Sequence, residues 1–423
     1  MRFRYSLLAS ALLLAQAAQA KTTPVDFDSI QRIVETTTPA SSDARFAAFD
    51  AQIQQDLIGA LQGDAAKLTR AQLEKTAQSD KLADRGWLKA SGYDFAKKAN
   101  QQAGIALLSA FTTLPKSELD ASMQRVAQVN LDATDGQRRQ AIIDAEGQNH
   151  LFFLADALGP KLGQAFLNAY TKGEMGKAAA LIKASEVSTG AAKAHFNYPR
   201  PFLMPGNTIH AVPDTAVVKD NQPYQANEGS FPSGHTNTAW TDALLLGEMV
   251  PERFVPLMDR AARYGYSRMV LGVHYPIDLI GSRMVAQRNV AHYLNDAKYR
   301  PLFAEAKQQL RDALEKECGT SLAECAKPAG AADPYAAPQM QQFARFAMTW
   351  DLPQEKVKQE AVVVPEGAEV LLEAALPQLS AQQRRQRMVA TAIAAGYPLS
   401  GTTPEQNFWQ RLDLSAAADM HKG

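Results

Sequence analysis

The stretch Glu228–Val250 reads EGSFPSGHTNTAWTDALLLGEMV, and it changes character at its middle. Pro232-Ser233-Gly234 marks a turn, and Ser233 followed three residues later by Thr236 reads as the start of a helix. The segment Thr236–Val250 is then apolar enough to be a buried helix. A loop entering a helix in this way is a natural anion site, because the first backbone N–H groups have no intrahelical partners and the helix dipole favours negative charge. Taken alone, Ser233 is simply an N-cap and His235 a first-turn side chain.

Outward from this junction the same signal recurs. A second helix is expected from Glu252 to about Met269 and a third from Ile277 to Tyr293, separated by a break at LGVHYP. Upstream, Thr38 to Tyr170 is rich in Ala, Gln, Leu and Lys, with apolar residues at three and four spacing, as in FAAFDAQIQQDLIGALQG and HLFFLADALGPKLGQAFLNAY. Pro199 and Pro201 end a further helical run. A loop of about thirty residues follows, with prolines at 205, 213 and 223, and loops that long are commonly functional. Strand signals are nearly absent, so the fold class expected is all-α.

The chain has 423 residues with 44 Lys plus Arg and 44 Asp plus Glu. That balance argues against nucleic acid or an anionic membrane as a partner held by bulk charge. Residues 1–20, MRFRYSLLASALLLAQAAQA, have two arginines, an apolar run and an Ala18-Gln19-Ala20 end, the pattern of a secretory signal peptide. Its removal deletes Arg2 and Arg4 and no acid, which takes the formal charge from 0 to −2. No later stretch approaches the roughly eighteen apolar residues of a membrane span, so a soluble periplasmic or secreted protein is expected. Cys318 and Cys325 in ECGTSLAEC read as one local disulfide, with two free buried thiols as the alternative, and no Cys and His spacing of a zinc site is present.

These features divide the chain into a signal peptide (1–20), a helical N-terminal region (21–140), a core (141–325), an Ala-, Pro- and Gly-rich linker (326–340) and an accessory helical module (341–423) expected to be helical from Glu366 to Ala395. No internal repeat is found.

Three short blocks carry chemistry: KAHFNYPRP (193–201), PSGH (232–235) and SRMVLGVHYPID (267–278). They supply the cations Lys193, Arg200 and Arg268, the hydroxyl of Ser233, the imidazoles His235 and His274, and the carboxylate Asp278. Cations, a hydroxyl and helix-end amides suit the oxygens of a tetrahedral anion. Two imidazoles can supply a nucleophile and a general acid, and a carboxylate four residues from His274 can hold one ring nitrogen. The set amounts to a metal-free phosphoryl-transfer site that needs no cofactor.

The order K-x6-R-P, P-S-G-H, S-R-x5-H-x3-D resembles the type 2 phosphatidic acid phosphatase superfamily, and every fixed position matches. Through NYPRPF, GSFPSGHT and YGYSRMVLGVHYPID, the chain is most similar to the bacterial class A non-specific acid phosphatases, from about Asp144 to Glu317. The N-terminal extension and the tail after Cys325 depart from that compact family. The resemblance implies an all-α bundle and a phosphomonoesterase. In it His274 attacks phosphorus, Asp278 orients His274, and His235 protonates the leaving alcohol. Lys193, Arg200, Ser233, the Gly234 amide and Arg268 hold the phosphate. The partners implied are small phosphomonoesters, with homo-oligomerisation left open. Two other functions fit the same residues, a vanadium-dependent haloperoxidase and a non-catalytic phosphate-binding envelope protein. His195 and His210 fall outside the pattern and read as packing or substrate-edge residues.

Overall fold

The computed structural model describes residues 26–38, 82–96, 98–146, 151–210, 212, 229–355 and 360–419. Among them every regular element is helical. The helices of eight residues or more are α1 (Phe27–Thr36), α2 (Lys98–Leu107), α3 (Lys116–Asp132), α4 (Asp135–Glu146), α5 (Pro160–Thr171), α6 (Gly176–Ala184) and α7 (Gly234–Met249). They continue with α8 (Phe254–Val270), α9 (Pro276–Asn295), α10 (Tyr299–Cys318), α11 (Met340–Ala347), α12 (Ala381–Thr391) and α13 (Pro404–Arg411). The signal-peptide segment and FAAFDAQIQQDLIGALQG lie outside the described residues.

Helix α7 packs against both α8 and α9 at the centre. Each is buried around most of its circumference, which is why neither α7 nor α9 shows a strong apolar stripe in the sequence. Leu244, Leu245 and Leu246 are fully buried, a contribution on the order of 1.5–3 kcal/mol each. Around this trio, α3 and α4 pack on α8, α10 on α5 and α6, and α13 on α9. Cys318, at the end of α10, is disulfide-bonded to Cys325.

The packing refines the local expectations. Within HLFFLADALGPKLGQAFLNAY two short 3-10 turns precede α5, and Gly159, with φ of 80°, redirects the chain before Pro160 at the first helical position. Glu366–Ala395 is also interrupted, with a 3-10 turn at Ala368–Leu372 and helix only from Ala381. The Ala-, Pro- and Gly-rich segment 326–340 is held against the core. Asp333 is 1% exposed and accepts two hydrogen bonds from Arg253, both at 2.7 Å, and Tyr335 is buried beside them.

The chain after residue 341 is tied to the core in the same manner. Arg283, buried on α9, donates to the carbonyls of Gln410 at 2.8 Å and Leu412 at 3.0 Å. Those carbonyls close the end of α13, so a core cation replaces the water they would otherwise bind.

Candidate active site

The site forms where α7 begins, α8 ends and α9 begins. Ser233 caps α7, its Oγ accepting from the Thr236 amide at 3.2 Å, as the sequence pattern predicts. Pro276 opens α9, and Asp278 is its third residue. The Asp278 carboxylate reaches back to accept from the Tyr275 amide at 2.9 Å, half of a capping box. The same oxygen, Oδ2, lies 2.9 Å from His274 Nδ1. One helix-capping carboxylate thereby fixes the imidazole that precedes it.

With Nδ1 held by Asp278, the other ring nitrogen, Nε2, faces the Arg200 guanidinium at 3.0 Å. Arg200 is itself braced by donating to the Val273 carbonyl at 3.0 Å. Lys193 donates to the Gly229 carbonyl at 2.9 Å, which ties the helix Gly190–Phe196 to the loop before Ser233. Arg268 sits in the last turn of α8 and is 4% exposed. The Ser233 amide donates to the Asp278 carbonyl at 3.4 Å, and Ser282 bridges both backbones through its hydroxyl. Lys193, Arg200, Arg268 and His235 thus gather around His274, and Ser233 is joined to Asp278 through its backbone, although Lys193 and Asp278 are far apart in the chain.

Electrostatics follow from this crowding. Burial first, then the positive charges of Arg200, Lys193, Arg268 and the neighbouring His235, push His274 well below the usual imidazole range. Burial raises the Asp278 carboxyl to about 7, against the opposing hydrogen bonds from Ser230 and the Tyr275 amide and the charges of Lys193 and Arg200. Both shifts favour the uncharged forms. Because the Arg200 guanidinium at Nε2 can only donate, the ring proton is assigned to Nδ1, facing the carboxyl, and the lone pair to Nε2. A neutral imidazole with its lone pair among three cations has the chemistry to attack a bound anion.

Two glycines set the close approaches. Gly272 has φ of 69°, and a Cβ there would lie 2.3 Å from Ile209 Cγ2, so only glycine lets the chain turn from α8 into Val273 and His274. A Cβ on Gly281 would lie 2.9 Å from Phe231, so its absence lets the aromatic ring before the PSGH block seat on α9. Phe231 also stacks on Phe111 at 4.0 Å between centroids.

Several supporting residues lie outside the three blocks. Ser230 is fully buried, donates to Asp278 Oδ2 and lies 3.4 Å from His274 Nδ1. Asp144 accepts from Ser267 Oγ at 2.6 Å and pairs with Arg260, which fixes the turn of α8 that carries Arg268. Asn130 donates to the carbonyls of Val270 and His210 and accepts from the His210 amide at 2.6 Å, so it clamps the long loop to the end of α8. Thr189 precedes the helix Gly190–Phe196 without capping it through its side chain; its Oγ1 stands 3.1 Å from where a Gly234 Cβ would be. Ser230 lies in GSFPSGHT, where its serine is visible but its bond to Asp278 is not. His195 is exposed with its ring against Phe196, and His210 is exposed and joins the site region through its backbone.

Residues 175–299 match the PAP2 superfamily. That span contains all three blocks and the full helical trio. Over 124 residues the chain is 32% identical to the acid phosphatase of Zymomonas mobilis subsp. mobilis, covering 29% of this chain and 44% of that one. It is 32% identical over 126 residues to the non-specific acid phosphatase of Providencia stuartii, 30% of this chain and 48% of that one. For the non-specific acid phosphatase of Salmonella typhimurium the values are 29% over 125 residues, 30% and 47%. The chain thus spans a little under half the length of these relatives, and the PAP2 match covers the part that holds the site.

Proposed function

We propose that this chain is an exported acid phosphatase that hydrolyses small phosphomonoesters through a phosphohistidine on His274, without a metal ion. The observation that carries the reading is the His274 ring, held at Nδ1 by Asp278 and turned at Nε2 toward Arg200 among three cations. The phosphatase names of the relatives over the same span support it. Export rests on the Arg-containing apolar leader at residues 1–20.

In this mechanism the phosphate dianion takes the guanidinium of Arg200 onto its oxygens and frees Nε2. Arg268, Lys193, Ser233 Oγ, Thr189 Oγ1 and the amide of Gly234 hold the remaining oxygens. Nε2 attacks phosphorus, the P–O bond to the alcohol breaks, and His235 gives that oxygen its proton. The imidazolium so formed is balanced by Asp278 through Nδ1–H. Water then gives a proton to His235 and attacks phosphorus, the P–N bond breaks, and phosphate leaves with both histidines restored. Three fixed cations and helix-end amides supply the charge stabilisation that a metal supplies in other phosphatases.

The test is hydrolysis of p-nitrophenyl phosphate by the full chain after exhaustive chelation. Undiminished turnover, inhibited competitively by vanadate, is expected. Turnover lost on chelation and restored by a divalent ion would overturn the metal-independent part, and no phosphoester hydrolysis at all would overturn the whole reading.

A further inference from the structure

A cavity of about 570 Å³ lies between the core and the segment that follows it, lined from α7, α9, α10, residues 370–377 and α12. It reaches Glu248, thirteen residues along α7 from His235 and so about 20 Å from the active site. Leu294, Phe303 and Val370 give it apolar walls. Its volume falls in the range of roughly 300–1,000 Å³ usual for small-molecule sites.

Its polar groups are unevenly matched. Arg300, Lys307 and Arg384 face it with Glu373 and Glu248. The Glu373 carboxylate is shared between two guanidiniums at long range, 3.5 Å to Arg300 and 3.9 Å to Arg384. Lys307 donates to the Glu248 backbone carbonyl at 2.7 Å rather than to its carboxyl. Glu248 is 4% exposed, and its Oε1 is buried without a hydrogen-bond partner. Burial pushes this carboxyl up to about 8, opposed by Lys307, the Ala374 amide and Arg384 and assisted by Glu373. At neutral pH and below it is largely protonated, so three cations stand against one carboxylate. The cavity therefore carries an excess of positive charge that a bound anion would neutralise.

We propose that this cavity is a second ligand site, separate from the active site, for a small organic carboxylate with an apolar body. The carboxylate is taken by Arg384 and Arg300, with Lys307 adding a point charge, and the apolar body lies along Phe303, Leu294 and Val370. Protonated Glu248 adds no opposing charge to the floor. Above its ionisation it does, so affinity falls as pH rises through about 8.

Saturation-transfer NMR with phenylacetate, on the full chain with vanadate filling the active site, tests this. Saturable transfer is expected at about pH 6, with uncharged phenylacetamide binding about tenfold more weakly. Arg384→Gln should weaken phenylacetate about tenfold. Because Arg384 also donates to the Leu379 carbonyl, Arg300→Gln, with more than half of its side chain exposed, is the second variant and should weaken it severalfold. In Glu248→Gln the loss of affinity between about pH 6 and pH 9 should shrink, the remainder coming from Lys307, whose ammonium burial pushes below the usual lysine range. No saturable transfer up to about 20 mM, equal binding of phenylacetamide, or indifference to both arginine variants would overturn the proposal. Should the chain bind no vanadate, the phosphatase reading fails and the cavity result is read without it.

Discussion

Replacing Ser230 with alanine removes a buried hydroxyl that donates to Asp278 Oδ2 and touches no group proposed to hold phosphate. A hydrogen bond to a charged acceptor is worth about 1.5–3 kcal/mol. Since that bond lowers the ionisation point of Asp278, now at about 7, its loss moves ionisation upward by about one to two pH units. The sign decides the assay. A carboxyl whose ionisation point rises spends more of the acid range protonated, so it cannot balance the imidazolium that forms on His274. In Ser230→Ala, kcat/KM for p-nitrophenyl phosphate should therefore fall about 10- to 100-fold at acid pH and recover toward wild type at alkaline pH. Vanadate inhibition should stay within about twofold, since Lys193, Arg200 and Arg268 remain. A loss of equal size at every pH, or a parallel weakening of vanadate, would refute the reasoning.

Other perturbations separate the roles. Asp278→Asn should lower kcat by on the order of a thousandfold or more, because an amide leaves the wrong ring nitrogen protonated, and vanadate affinity should change much less; steady-state kinetics beside vanadate titration read both. Thr189→Val should weaken vanadate about three- to tenfold while Thr189→Ser restores it, a comparison that separates a phosphate contact from packing. Asp333→Ala leaves Arg253 buried without its carboxylate and should cost about 3–5 kcal/mol in unfolding, with activity per folded molecule unchanged.

The site was legible in the sequence because its chemistry is local. Ser233 and His235 sit at a helix start that Pro232 and Gly234 announce, and His274 and Asp278 are bound through a helix cap whose spacing is fixed by α9 itself. Asp144 and Asn130 were not legible, because each is a single polar residue on an ordinary helix. Asp144 reaches Ser267 across 123 positions and Asn130 reaches Val270 across 140, and neither spacing leaves a trace in local pattern. Helical periodicity also misjudged continuity. Gly159 breaks the run before α5, and the turn at Ala368–Leu372 exists because Val370, Leu371 and Leu372 pack into the core rather than extend a helix.

The claim on which all of this rests is covalent chemistry at His274. A phosphoryl group on an imidazole nitrogen is labile in acid and persists in base, so turnover quenched rapidly in alkali and digested should release a peptide heavier by one phosphoryl group. That peptide should contain His274, and the adduct should vanish in His274→Ala while vanadate still binds. An adduct on Ser233, or one that survives in His274→Ala, would contradict it.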